Sequence, residues 1–171
     1  MASGMVAVVV MGVTACGKST VAEAVAGRIG GRHIEGDLFH SPANISKMRA
    51  GEALDDADRR GWLRQLGTLL TEAVVAGERP VLSCSALKRR YRDQLRAAVP
   101  TLGFVFLDIS EAEVRRRASL RTGHFMAKGL VSSQFATLER PDDEASVLVV
   151  DATLTVDEIS RRVAGWWDAS H

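Results

Sequence analysis

Cysteine is nearly absent: the 171 residues include two, Cys16 and Cys84. Their positions form no metal-ligand spacing and suggest no disulfide framework, so a reducing, cytoplasmic setting is expected. No apolar run approaches the roughly 20 residues of a membrane span. The opening "MASGM" is too short for the charged and apolar regions of a signal peptide. Neither charge dominates, since 22 Lys and Arg face 21 Asp and Glu for a formal net charge of +1. A balance this even gives no global reason to expect nucleic acid as a partner. Aromatic residues are 5% of the chain, and Trp62, Trp166 and Trp167 read as packing residues, not as a base-stacking platform. Internal repeats, low-complexity tracts and interdomain linkers are also missing, so residues 1–171 are expected to form one domain.

What is present is an alternation of apolar strands and helical patterns. Met5–Met11 is a continuous Val-rich run, as expected for a central parallel strand covered on both faces. The next segment pairs Val21, Val25 and Ile29 at helical spacing and stops at Gly30-Gly31. "RHIEGD" reads as a short second strand ending in acids, and "SPANISKMRAGEALDD" as a short helix and loop with Pro42 near its start. Asp55 or Asp56 can cap the helix that runs through Trp62, Leu66, Leu70 and Val74. "PVLSCSAL", "GFVFLD" and "SVLVVD" supply three more strands. A basic helix from Lys88 to Val99 follows the first of them. Ser110 with Glu113, and Thr155 with Glu158, form capping-box patterns before the remaining helices. Strand–helix alternation predicts a parallel α/β sandwich.

The first strand runs into "GVTACGKST". Gly12, Gly17, Lys18 and Ser19 occupy every fixed position of G-x-x-x-x-G-K-[ST], in the strand–turn–helix context the motif requires. Glycines let the backbone of Val13, Thr14, Ala15 and Cys16 curl so that successive N–H groups face phosphate oxygens. The helix N-terminus adds partial positive charge. Lys18 is placed to reach the β- and γ-phosphates, Ser19 to ligate Mg²⁺, and Thr20 to help hold the phosphates. Cys16, near the same helix N-terminus, is in an environment that favours thiolate. The guanine-specifying N-K-x-D pattern is absent, and the sheet is too small for a large motor. A compact kinase of the nucleoside monophosphate kinase kind remains, with an acceptor site and a basic lid.

Four blocks carry a closer resemblance: "GVTACGKST", "EGDLFHSPANISKMRAGEALDDADRRGWL", "CSALKRRYRDQLR" and "RTGHFMAKGLVSSQFATLERP". In this order, from about residue 11 to 151, they resemble the signatures of the gluconokinase family. That family uses ATP to phosphorylate D-gluconate to 6-phosphogluconate. The resemblance implies a three-layer sandwich with a five-stranded parallel sheet, an acceptor-binding insertion over about residues 38–62, and a lid over about 115–140. A homodimer is also implied. The chain departs from the family in Thr14-Ala15-Cys16, where a Ser-Gly-Ser-like stretch is usual, and in Glu35, Gly61 and Ala127.

Carried onto this chain, the resemblance makes Asp37 the carboxylate facing the acceptor hydroxyl and a water on Mg²⁺; its alternative role is a helix cap. Glu35 is ambiguous, since an acid at a strand end can simply be solvated. His40 resembles the family's acceptor-side histidine, against a loop histidine bonded to backbone. Lys47 and Arg59 lie in the insertion, where a sugar acid needs cations and donors. Adjacent Arg59 and Arg60 face different ways on a helix, and the resemblance favours Arg59. Lys88 and Arg92, spaced i, i+4 after the third strand, are assigned to substrate in the same way. Arg117 and Arg121, also i, i+4, suit a lid that brings cations to the transferring phosphoryl group on closure. His124 joins the substrate residues at the lid hinge, beside Phe125. A shikimate kinase, another small-molecule kinase of this fold, and a non-catalytic nucleotide-binding module are the rival readings.

Overall fold

The computed structural model describes residues 4–120 and 128–171. The Val-rich run forms β1 (Ala7–Met11), every residue of which is buried. It occupies the centre of a five-stranded parallel sheet of order β2-β3-β1-β4-β5. On one side lies β3 (Pro80–Ser83), with Val8 opposite Val81; on the other lies β4 (Leu102–Asp108), with Val9 opposite Phe104. β2 (Arg32–Glu35) and β5 (Val147–Asp151) are the edges. The strand after "MASGM" begins at Ala7 and not at Met5, because pairing with β4 begins there.

Alternate side chains of one strand face opposite layers, and β1 uses both faces. Val8 and Val10 pack with α1 (Lys18–Ile29) and α7 (Val156–Ala169). Ala7, Val9 and Met11 pack with α3 (Asp56–Val75) and α4 (Arg89–Ala98). β4 divides in the same way, with Phe104 and Phe106 toward α3 and α4, and Val105 and Leu107 toward α1. Helix, sheet and helix make three layers, and the continuous apolar runs follow from burial on both faces.

Local signals set the ends. Gly30 adopts φ 66°, ψ 38°, and the Gly31 N–H closes on the Ala26 carbonyl at 2.8 Å, so α1 stops where the glycine pair stands. Asp55, not Asp56, caps α3: its carboxylate accepts the Asp58 N–H at 2.7 Å, and Asp58 accepts the Asp55 N–H at 3.0 Å. Pro42 opens α2 (Pro42–Arg49), capped by Ser41. Ser110 Oγ accepts the Glu113 N–H ahead of α5 (Glu111–Leu120), and Thr155 does the same for Glu158 ahead of α7. Lys88 is the extended residue before α4 and lies outside the helix. Helix α6 (Lys128–Thr137) was not anticipated. In the described part of that segment Val131 alone is fully buried, so no apolar stripe announces it.

From β1 the chain crosses to β2 and β3 on one side and to β4 and β5 on the other. The reversal opens a crevice at the carboxyl ends of β1 and β3. The phosphate-binding motif leaves β1 at that point.

Candidate active site

The loop from Gly12 to Gly17 depends on positive φ. Gly12 sits at +150°, and a Cβ there would lie 2.8 Å from Cys16 Sγ and 3.2 Å from the Leu107 carbonyl oxygen. Gly17, at φ 95°, turns the chain into α1. Between them Ala15 takes φ 60°, which explains why a glycine is usual there; a Cβ in the left-handed region costs about 1 kcal/mol. The Gly12 N–H donates to the Ser85 carbonyl at 3.2 Å, tying the loop to the segment after β3. Lys18 Nζ donates to the Val13 carbonyl at 2.9 Å, so its ammonium lies across the curl of the loop. Thr20 is exposed on the first turn of α1.

Beyond the loop, Ser19 Oγ donates to Glu35 Oε2. Glu35 Oε1 accepts from Ser83 Oγ at 2.9 Å, and Ser83 Oγ in turn meets His33 Nε2 at 2.9 Å. The ambiguous acid at the end of β2 is therefore held between two hydroxyls, not loosely solvated. It is Glu35, and not Asp37, that touches Ser19. Asp37 stands on the 3-10 turn Gly36–Phe39 with 71% of its side chain exposed, facing the cleft.

The cleft has a volume of about 180 Å³ and brings Thr14, Lys18, Asp37, His40, Arg59 and Trp62 together. His40 is buried against Trp62, with ring centroids 4.0 Å apart and planes at 19°. Its Nε2 lies 3.9 Å from Asp37 Oδ1. Burial pushes the His40 pKa down; Asp37 opposes that shift and Arg59 adds to it. The balance favours the neutral imidazole. Trp62, read as a packing residue, also walls the cleft, and its indole N–H donates to the Gly36 carbonyl at 2.9 Å.

Arg59 faces the cleft, whereas the neighbouring Arg60 faces Tyr91 and Gln94 on another surface. Arg59 Nη1 donates to the Leu54 carbonyl at 2.5 Å and to Tyr91 Oη at 3.2 Å, and the guanidinium lies over the Tyr91 ring. Tyr91 donates its own proton to Asp56, whose pKa is pushed down to about 2 by that bond and by Lys88. One edge of the Arg59 fork is thus fixed, leaving the other for an anion in the cleft.

Three of the expected substrate residues are not among those that line the cleft. Arg92 is fully buried: it donates three bonds to Glu144, at 2.6 to 3.2 Å, and one each to the Ala86 and Glu139 carbonyls. A guanidinium with no exposed surface, held by a buried carboxylate and two carbonyls, is closed off from substrate. Lys88 pairs with Asp56 at 3.0 Å and Lys47 with Asp58 at 2.8 Å, both outside the cleft lining. Since Lys88 precedes α4 in extended backbone, the helical i, i+4 argument for Lys88 and Arg92 did not apply.

On the lid side, Arg117 Nη1 stands 3.4 Å from the Ala15 and Cys16 carbonyls, and Nη2 donates to the Ala152 carbonyl at 2.8 Å. It abuts the phosphate loop from α5. Arg121, His124 and Phe125 lie outside the described residues. Cys16, read from the sequence as a reactive residue, is 2% exposed and packs within the core. Two residues were missed. Gln134 of α6 accepts the Thr14 N–H through Oε1 at 2.6 Å, linking α6 to the phosphate loop. Asn44, buried in "NISKM", bonds to His40. An amide carries no charge signal, so neither could be singled out without its neighbours.

The chain is similar to several known proteins. Residues 8–141 match a family model described as an AAA domain. A gluconokinase of Gluconobacter oxydans (strain 621H) is 49% identical over 142 residues, spanning 83% of this chain and 80% of that protein. A thermoresistant gluconokinase of Escherichia coli (strain K12) is 40% identical over 144 residues, 84% of this chain and 82% of the relative. The crystal structure of a gluconokinase from Sinorhizobium meliloti 1021 superposes with a TM-score of 0.87 at 44% identity, covering 95% of this chain and 91% of that one.

Proposed function

The chain belongs to the gluconokinase family of small P-loop kinases, and we propose on that premise that it transfers the γ-phosphate of ATP to the 6-hydroxyl of D-gluconate, yielding 6-phospho-D-gluconate and ADP. The observation that carries the substrate reading is the convergence of Lys18, Asp37, His40 and Arg59 on one cleft beside the phosphate loop. A sugar acid offers a carboxylate for Arg59 and hydroxyls for His40 and Asp37. The phosphate loop provides inward N–H groups and the Lys18 ammonium for the β- and γ-phosphates.

In the transfer the 6-hydroxyl oxygen bonds to the γ-phosphorus as the bond to the β–γ bridging oxygen breaks, and ADP leaves with that oxygen. The hydroxyl proton passes to Asp37. In a loose transition state, orienting the hydroxyl matters more than the strength of the base. Lys18 offsets charge growing on the bridging oxygen, and Arg117 and Arg121 are the cations of the lid over residues 115–140. Residues 38–62 form the acceptor-binding insertion of a single kinase domain. The hard oxygen donors at the sheet edge, Ser19 and Glu35 with Asp37 beyond, suit a Mg²⁺ ion, which takes few protein ligands and shares phosphate oxygens. When bound, Mg²⁺ neutralises charge between the β- and γ-phosphates. The family resemblance favours a homodimer and the cysteine usage a cytoplasmic location; among the described residues no helix is long and apolar enough to cross a membrane.

A coupled ADP-release screen over gluconate, shikimate, nucleoside monophosphates and adenylylsulfate tests the reading. Turnover stimulated by gluconate above the others is expected. Stimulation by another acceptor alone would replace the substrate, and ATP binding without stimulated turnover would indicate a binding module.

A further inference from the structure

The proton on the His40 ring can be located from its neighbours. Asn44, 4% exposed, places Nδ2 2.9 Å from the Asp58 backbone carbonyl oxygen. A carbonyl oxygen only accepts, so the amide nitrogen must face it; the flipped amide would set two oxygens together. The same Nδ2 lies 3.3 Å from His40 Nδ1. An amide nitrogen only donates, so Nδ1 must be the unprotonated, accepting nitrogen of the ring. The ring proton is then on Nε2, which points to Asp37 and the cleft. Little in this arrangement is free to rotate. The Asp58 carbonyl belongs to the capped first turn of α3, the Asn44 N–H is held by Ser41 Oγ at 3.1 Å, and the imidazole is stacked on Trp62.

We propose that Asn44 is a positioning residue that locks His40 in its Nε2–H tautomer, so that His40 serves the acceptor substrate as a neutral hydrogen-bond donor. The substrate half of this statement rests on the kinase reading above; the tautomer half does not. The tautomer also decides which of the two residues, His40 or Asp37, can take the acceptor proton. An Nε2 that already carries a proton cannot take one from the acceptor hydroxyl, so His40 is excluded as the general base, and that duty falls to Asp37.

The test is ¹⁵N NMR of the protein labelled at histidine. Of its four histidines, the His40 signals are identified as those lost in His40→Gln. The lock requires a pyrrole-like Nε2 and a pyridine-like Nδ1 in the neutral ring, read at pH 8. A pyrrole-like Nδ1 in the wild-type protein overturns the proposal without any variant. Asn44→Asp replaces the donor by an acceptor and should move the proton to Nδ1 or give an imidazolium. Asn44→Ala removes the donor and should leave a mixture of tautomers. In either variant the KM for gluconate should rise roughly five- to tenfold, the scale of one hydrogen bond, while the KM for ATP stays within about twofold. Variants that only melt earlier, with the wild-type tautomer and wild-type gluconate KM, would make Asn44 structural and overturn the proposal. A wild-type protein with the Nε2–H spectrum but no turnover of gluconate supports the lock and overturns the substrate reading instead.

Discussion

Replacing Arg92 by alanine tests whether this residue serves the fold or the substrate. The wild-type side chain joins α4 to the Ala86 carbonyl after β3 and to Glu139 and Glu144 after α6, with no exposed surface of its own. Glu144 is 3% exposed. Burial alone would push its pKa up, but bonds from Arg92 and Arg96 hold it below the ordinary carboxyl range. Truncation leaves this carboxylate buried with Arg96, 2.8 Å away, as its remaining ion-pair partner. Removing one partner of a buried pair costs about 3–5 kcal/mol. In a domain of this size each kcal/mol moves the Tm by about 2–4 °C, so a fall of about 10 °C is expected. The loss should narrow on acidification. A carboxyl whose folded pKa is depressed contributes stability above its unfolded pKa and loses it as pH falls through the folded value. In the variant the orphaned carboxyl also relieves its penalty by taking a proton. Calorimetric melts from pH 7 down through pH 4, beside KM for gluconate and ATP on the same preparation at pH 7, measure both halves. A Tm within about 2 °C of wild type, together with a gluconate KM raised tenfold or more, would refute the structural reading and restore Arg92 to the substrate.

Other perturbations separate the remaining roles. Lys18→Ala should abolish phosphoryl transfer while leaving the melting curve nearly unchanged, because its ammonium meets the Val13 carbonyl and, at 4.0 Å, Cys16 Sγ, both within the loop; near-normal turnover would refute the phosphate-loop assignment. Asp37→Asn should keep ATP affinity within a few-fold yet cut turnover roughly a hundredfold or more, the scale of a lost general base. Glu35→Gln, which alters the carboxylate bonded to Ser19, should instead raise the Mg²⁺ concentration needed for half-maximal rate, and equal Mg²⁺ dependence in the two variants would undo this division. Tyr91→Phe should raise the gluconate KM by freeing Arg59. It should also move acid unfolding to higher pH, since Asp56 loses the main bond that holds it from 3.8 down to about 2. The stability tied to Asp56 is complete above pH 4 and is lost toward pH 2, so a pH-melting series reads the shift.

What the sequence could determine was whatever local spacing encodes. The phosphate loop is contiguous, and its glycines, lysine and serine are required at fixed offsets, so Gly12 to Thr20 could be read directly. The strand–helix alternation and the capping residues Ser110 and Thr155 were equally local. Arg59 was separated from Arg60 by helical geometry together with family likeness.

The tertiary structure decided the roles of residues whose partners are distant in the chain. Arg92 and Lys88 look like any basic pair until Glu144 and Asp56 come into contact with them, 52 and 32 residues away. Glu35 became a specific ligand of Ser19 because β2 ends beside the start of α1, and Gln134 reached Thr14 across 120 residues. The same holds for the His40 proton, which is placed by an amide whose own orientation depends on a backbone carbonyl of α3. A side chain's type sets what it can donate or accept. Whether it meets a substrate or a buried counter-charge is decided by which distant segments the sheet order brings to the same edge.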